Sequence, residues 1–147
     1  MDEASALVEA LAQAVSQAPE NLALRRHYAD MLYETNRLVA AAEAYRTAVR
    51  KNPEYVDAWN NLAIAHGKLG QYIHAIEALR IALRISPEDA EAWNNLGIAF
   101  GSSGQDSRAI EAFRNSLVIN SGDAQVWYNL GIIYSRLGRQ NQVLEVY

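Results

Sequence analysis

Three tryptophans, Trp59, Trp93 and Trp127, stand 34 residues apart, and each carries its neighbourhood with it. The surroundings read Asp57-Ala58-Trp59-Asn60-Asn61-Leu62, then Glu91-Ala92-Trp93-Asn94-Asn95-Leu96, then Gln125-Val126-Trp127-Tyr128-Asn129-Leu130. Pro19, Pro53 and Pro87 keep the same interval. A period of this length marks a supersecondary unit too small to bury its own apolar face, so neighbouring units must stack to make a continuous core. That constraint excludes a single globular core and biases the chain toward binding.

Within each unit the periodicity is helical. With the tryptophan as position 4, residues at positions 4, 7, 8 and 11 (Trp59, Leu62, Ala63 and His66; Trp93, Leu96, Gly97 and Phe100) follow the spacing of one helix face. A second run at the same spacing follows, as Ala75, Leu79 and Ala82 or Ala109, Phe113 and Ser116. The small residues Ala63, Gly97 and Gly131 let that second helix approach closely. Leu69-Gly70-Gln71, Ser103-Gly104-Gln105 and Leu137-Gly138-Arg139 read as turns, because glycine suits the left-handed residue that ends a helix. Pro87 marks a restart, with Ser86 and Asp89 read as a reciprocal cap. The spacing predicts helices near 3–18, 22–35, 39–52, 56–69, 73–86, 90–103, 107–120 and 124–137, and another from about 141.

These residues resemble the tetratricopeptide repeat, whose pattern is Trp/Leu/Gly/Tyr on one helix and Ala/Phe/Ala, then Pro, on the next. The resemblance covers nearly the whole chain. Residues 56–89 and 90–123 carry the pattern best, 22–55 keeps its second half (Ala41, Tyr45, Ala48, Pro53), and 124–147 begins another unit. Residues 1–21 match the end of a repeat, as a cap or half-repeat. The fold this implies is all-α, a right-handed superhelix of antiparallel helical hairpins. The stop at Tyr147 partway through a hairpin, with Val143, Leu144 and Val146 unlike a polar cap, reads as a fragment of a longer array.

Charge and composition narrow the function. Net charge is −4, the first 21 residues hold four acids and no base, and basic residues gather in 22–55. An acidic chain is a poor candidate for nucleic acid. There is no cysteine, hence no disulfide framework or thiolate chemistry. The amino-terminal residues lack a basic region followed by a long apolar stretch, and no segment has the length and apolarity to span a membrane, so a cytoplasmic location is expected.

A binding face can be placed from helix geometry. At about 100° per residue, position 6 lies some 200° from the tryptophan. Positions 2, 6, 9 and 13 form one stripe: Asp57, Asn61, Ile64 and Lys68; Glu91, Asn95, Ile98 and Ser102; Gln125, Asn129, Ile132 and Arg136. The resemblance puts this stripe on the concave surface. Asn61, Asn95 and Asn129 form its central row, and an amide offering donors and an acceptor matches a peptide bond. Similar ladders occur in the superhelical repeats of protein O-GlcNAc transferases. Asn60 and Asn94, replaced by Tyr128 in the last unit, are expected to widen the polar strip, and Ile64, Ile98 and Ile132 run beside it. His27 breaks the row in residues 22–55, so binding should centre on the later units.

The clamp with which chaperone-binding members of this family grip a carboxylate tail does not map here. Its positions fall on Arg26, Asp30, Asn61, Glu91 and Asn95, and Asp30 and Glu91 put negative charge where the carboxylate would sit. His66 reads as a core histidine and His74 as exposed; no metal site, cofactor or catalytic pair is expected. Gly101-Ser102-Ser103-Gly104 lacks the ending of a phosphate loop. The expected function is a protein-interaction module that binds a peptide or partner segment in the groove. A self-assembling scaffold joined through its terminal units and a substrate-recruiting arm of a larger enzyme are the alternatives.

Overall fold

The computed structural model describes residues 2–146, with side chains through Asn141. Its described residues form eight helices and no strand: α1 (Glu3–Gln17), α2 (Leu22–Glu34), α3 (Leu38–Lys51), α4 (Val56–Lys68), α5 (Tyr72–Ile85), α6 (Ala90–Ser102), α7 (Asp106–Ile119) and α8 (Ala124–Val146). Each packs on the next, and α6 also touches α4 and α8. The result is a helical repeat solenoid in which α4, α6 and α8 make one layer and α3, α5 and α7 the other.

Local chemistry sets these boundaries. Asp2, Asn21 and Asp89 cap α1, α2 and α6 by accepting from the backbone N–H three residues on. Ser86 is the C-cap of α5 and enters through its carbonyl, which accepts from Asp89 N–H at 3.3 Å, so the reciprocal side-chain cap is replaced by a one-sided one. Within the hairpins, Gly70 and Gly104 adopt φ of 74° and 82°. Behind them Gln71 N–H donates to His66 O (2.9 Å) and Gln105 N–H to Phe100 O (2.8 Å), the closure that follows a left-handed residue. Asn36 does the same work at φ 60°, since its short polar side chain tolerates that region.

The expected turn at Leu137-Gly138-Arg139 does not form. Gly138 is not left-handed, and α8 runs on from Ala124 to Val146 as one helix. A glycine is permissive in a helix as well as in a turn, so it marks where a chain can break, not where it must. The side chains of Val143, Leu144 and Val146, and Tyr147 altogether, lie outside the described residues.

The tryptophans stand at the edge of the core, with Trp59 and Trp93 packed against it. Trp59 and Trp93 are half-buried and Trp127 is 55% exposed. Each donates its indole N–H back to the loop six residues earlier, to the carbonyls of Pro53, Pro87 and Ser121 at 2.8, 2.8 and 2.9 Å. The periodic tryptophan therefore pins the junction between repeats. The interior belongs to Leu32, Tyr45, Leu62, Leu79, Leu96, Phe113 and Leu130, with alanines between them.

His66 is buried as expected, and its Nδ1–H donates to Gln71 Oε1 at 2.6 Å. Burial holds its pKa below the ordinary value of 6.5, opposed by the Gln71 bond, while His74, whose ring lies 5.3 Å away, pushes the same way as burial. The unfolded chain therefore binds a proton before the native one does. Stability from this group is complete above the unfolded pKa and is lost as pH falls through it toward the folded value. Urea unfolding between about pH 7.5 and 5.5 is expected to lose midpoint more steeply in the wild type than in His66→Phe. Parallel curves would remove the histidine from the account.

Candidate binding groove

Part of the stripe predicted from helix geometry lines three successive recesses; Asp57, Glu91, Gln125 and Asn129 line none of them. The first (about 310 Å³) is walled by Asp30, Tyr33, Glu34, Tyr45, Asn61 and Ile64. The second (about 270 Å³) lies between α4, α5 and α6, and shares Ile64 with the first. It is bounded by Gly67, Lys68, Tyr72, Leu79, Asn95, Ile98 and Ser102. The third is an open hollow of about 690 Å³ along α8, lined by Tyr128, Gly131, Ile132, Ser135, Arg136 and Arg139.

The asparagines share a register but not a state. Asn61 donates through Nδ2 to Asp30 Oδ1 at 3.3 Å. Asp30 also accepts the hydroxyl proton of buried Tyr45 and pairs with Arg26 at 3.5 Å. Burial, then the hydrogen bond to this carboxylate, pushes the Tyr45 phenol above its ordinary value. In the next repeat the residue standing where Asp30 stands is Ile64. Asn95 Nδ2 consequently has no partner, although it is fully shielded from solvent. Asn129 faces Ile98 in turn and binds elsewhere, donating to Asn94 Oδ1 at 3.2 Å and accepting from Gln125 Nε2 at 3.1 Å. One asparagine of the row is left with an unspent donor, and it sits in the wall of the second recess.

Asn60 departs from its expected place. It is 6% exposed and donates to Asp89 Oδ2 at 2.9 Å, so it ties α4 to the residue that caps α6 instead of widening the groove. Asn94 is half-buried and serves Asn129. Ile64 is half-buried, whereas Ile98, Tyr128 and Ile132 are 43%, 65% and 46% exposed.

The second recess exists because of one small side chain. Residues equivalent to Ser102 in the flanking repeats are Lys68 and Arg136. Lys68 Nζ lies over the Tyr33 ring, 5.2 Å from its centroid. Arg136 fills its own cleft, bonding through Nε to Asp106 Oδ2 at 3.0 Å and through Nη2 to Gly101 O at 2.9 Å, and the Asp106 bond raises its pKa. Ser102 cannot reach across, so an apolar space stays open beside Tyr72, Leu79 and Ile98. Tyr33, Glu34 and Tyr72 were not singled out from the sequence. They come from helix ends and from the second helix of a hairpin, so only packing brings them to the stripe.

Among the described residues no group of three His, Asp or Glu is placed to hold a metal ion, and no helix is long and apolar enough to cross a membrane. Models of the tetratricopeptide repeat match residues 29–70, 67–104, 90–122 and 124–147. No curated protein matches the chain. Among solved structures, a crystal structure of MamA superposes with a TM-score of 0.85 over 99% of this chain and 90% of that one, at 20% identity. MamA 41-end from Desulfovibrio magneticus RS-1 gives 0.85 over 97% and 80%, at 18% identity. The first TPR of Spaghetti (RPAP3), bound to the HSP90 peptide SRMEEVD, gives 0.77 over 80% and 93%, at 14% identity. At these identities the likeness is one of fold.

Proposed function

Since the chain belongs to the tetratricopeptide repeat family, we propose that it is a protein-interaction module whose concave groove holds an extended partner segment across α4, α6 and α8. The observation that carries this reading is the second recess: an apolar space of about 270 Å³ with the unpaired Asn95 Nδ2 in its wall. A buried donor without an acceptor costs about 1–3 kcal/mol. A partner backbone carbonyl relieves that cost once a turn of the Asn95 side chain brings its shielded Nδ2 to the recess, while an aliphatic or aromatic side chain fills the space beside Tyr72, Leu79 and Ile98.

Charge gives the groove a direction. Glu34 lines the first recess and Arg139 the third, neither paired with an opposite charge among the described residues. A bound segment therefore places basic residues toward α2 and acidic ones toward α8. Binding of a chaperone-type peptide, as in the RPAP3 complex, does not carry over, because Asp30 stands where a carboxylate would dock and is already engaged by Arg26 and Asn61.

Ser102→Arg is the sharpest test, since it copies the arginine that closes the equivalent cleft one repeat on. Peptides selected from a random library on the wild-type chain are expected to lose at least about tenfold in affinity for Ser102→Arg, the loss of one well-filled side-chain pocket. Asn95→Ala should weaken them too, with helicity unchanged in both variants. Selected peptides that bind both variants as tightly as the wild type would sink the groove reading.

A second reading, assembly of copies through α8, is supported by the exposure of Trp127, Tyr128, Ile132 and Tyr134 and by the empty space over Gly131. A constant mass in light scattering over a wide concentration range would remove it.

A further inference from the structure

The face of α6 opposite Asn95 and Ile98 carries a second recess with the reverse character. It is a trough of about 440 Å³ between α5, α6 and α7, walled by Arg80, Arg84, Trp93, Phe100, Arg108 and Glu111. The Arg80 guanidinium carbon lies 5.9 Å from the centre of the Phe100 ring and that of Arg108 5.8 Å. Phe100 itself is 6% exposed, so the two guanidiniums cover its ring and are held in place by it.

The neighbouring repeat provides an internal control. The equivalent trough between α3, α4 and α5, about 300 Å³, has Arg46, Arg50, Trp59, His66, His74 and Glu77 at the matching positions. There fewer charges are free: Arg46 pairs with Glu43, His74 faces Glu77 at 3.6 Å, and Arg50 is the one guanidinium with no carboxylate within 4 Å among the described residues. In the following repeat Arg114 donates to the Tyr134 hydroxyl at 2.8 Å. Only around Phe100 does the register place three guanidiniums with no carboxylate within 4 Å among the described residues. Arg108 gives one N–H to Gln105 Oε1 at 2.9 Å, and Glu111 is the one acid in the walls.

We propose that this trough is a second interaction site, on the face opposite the groove, and that it takes an acidic peptide segment of a partner protein. Arg80 and Arg108 each present a planar fork matched to a carboxylate, already ordered on the ring so that little side-chain freedom is lost on binding. Trp93, Leu83 and Leu96 give an apolar floor for a side chain between the two acids. Nucleic acid is the poorer fit. The net charge is −4, and Glu111 stands in the wall of the trough itself.

Fluorescence anisotropy on the full chain, with a labelled synthetic peptide of Asp and Glu around one Leu, tests this independently of the groove. Arg80→Gln/Arg108→Gln is expected to weaken binding by about tenfold or more, as two charge-assisted contacts are lost. Arg46→Gln/Arg50→Gln in the neighbouring trough removes the same formal charge and should cost less than about twofold, the effect of a screened surface charge. Asn95→Ala should change nothing. Arg80→Lys/Arg108→Lys keeps the charge and is expected to retain only part of the affinity. No binding, equal loss in the two arginine pairs, loss on Asn95→Ala, or tighter arginine-dependent binding of a duplex oligonucleotide would each overturn the site.

Discussion

Gly97→Ala is expected to destabilise the protein by about 1–2 kcal/mol, against the usual gain of alanine in a helix. A methyl group on Gly97 would stand 2.5 Å from Phe113 Cε1 and 2.6 Å from Cδ1, and Phe113 is 1% exposed. Overpacking of this kind costs about 1–3 kcal/mol, and helix propensity returns up to about 1 kcal/mol of it. The preceding repeat solves the same contact with Ala63 and Leu79. Gly97→Ala/Phe113→Leu should therefore lose less than the sum of its two single substitutions, a positive coupling in a double-mutant cycle. Gly131→Ala is the control. Among the described residues nothing beyond its own stretch of helix lies within 4 Å of its added methyl, so urea unfolding should show a gain of up to about 1 kcal/mol. Equal effects at the two glycines would refute the packing argument.

Asp106→Ala is expected to release α8 while leaving the earlier helices folded. Asp106 is 8% exposed, opens α7, and accepts both bonds by which Arg136 reaches it from α8. The same guanidinium holds the Gly101 carbonyl at the end of α6. Bonds to a charged group contribute about 1.5–3 kcal/mol, and the lower end applies because the Arg136 side chain is 40% exposed and is resolvated when freed. In a solenoid each helix answers mainly to its neighbours, and among the described residues α8 packs mainly on α7 and α6. Hydrogen exchange should thus rise across 124–137 with 56–102 protected as before. A uniform loss of protection, or none, would show that the latch does not work this way.

Most of the architecture was legible in the sequence for a physical reason. A helix face is set by residues three and four apart, and a 34-residue period repeats that face in register. The seven helices from α1 to α7 fall within a residue of their expected limits at each end. The stripe of Asn61, Ile64, Asn95, Ile98, Asn129 and Ile132 follows from the same arithmetic; in the structure Asn61, Ile64, Asn95, Ile98 and Ile132 line successive recesses, whereas Asn129 lines none of them. Two features needed the tertiary structure beside the local signal. Trp59, Trp93 and Trp127 share the spacing of core residues, yet their polar N–H groups seek the loop carbonyls six residues back. Gly138 has the residue type of a turn, yet nothing in its own sequence forces α8 to end there.

The sequence by itself therefore determined the helical hairpin, its period and the face along which Asn61, Asn95 and Asn129 line up. Only the tertiary structure decided that these asparagines differ. Asn61 meets Asp30, Asn129 meets Asn94, and Asn95 meets Ile64 and keeps its donor. It also decided that Ser102 leaves open a space which Arg136 closes one repeat on, and that Arg80 and Arg108 converge on Phe100 from different helices. Periodicity fixes which residues are equivalent. What each of them binds depends on its neighbour in the adjacent repeat, about 30 residues away in sequence and in contact only once the hairpins stack.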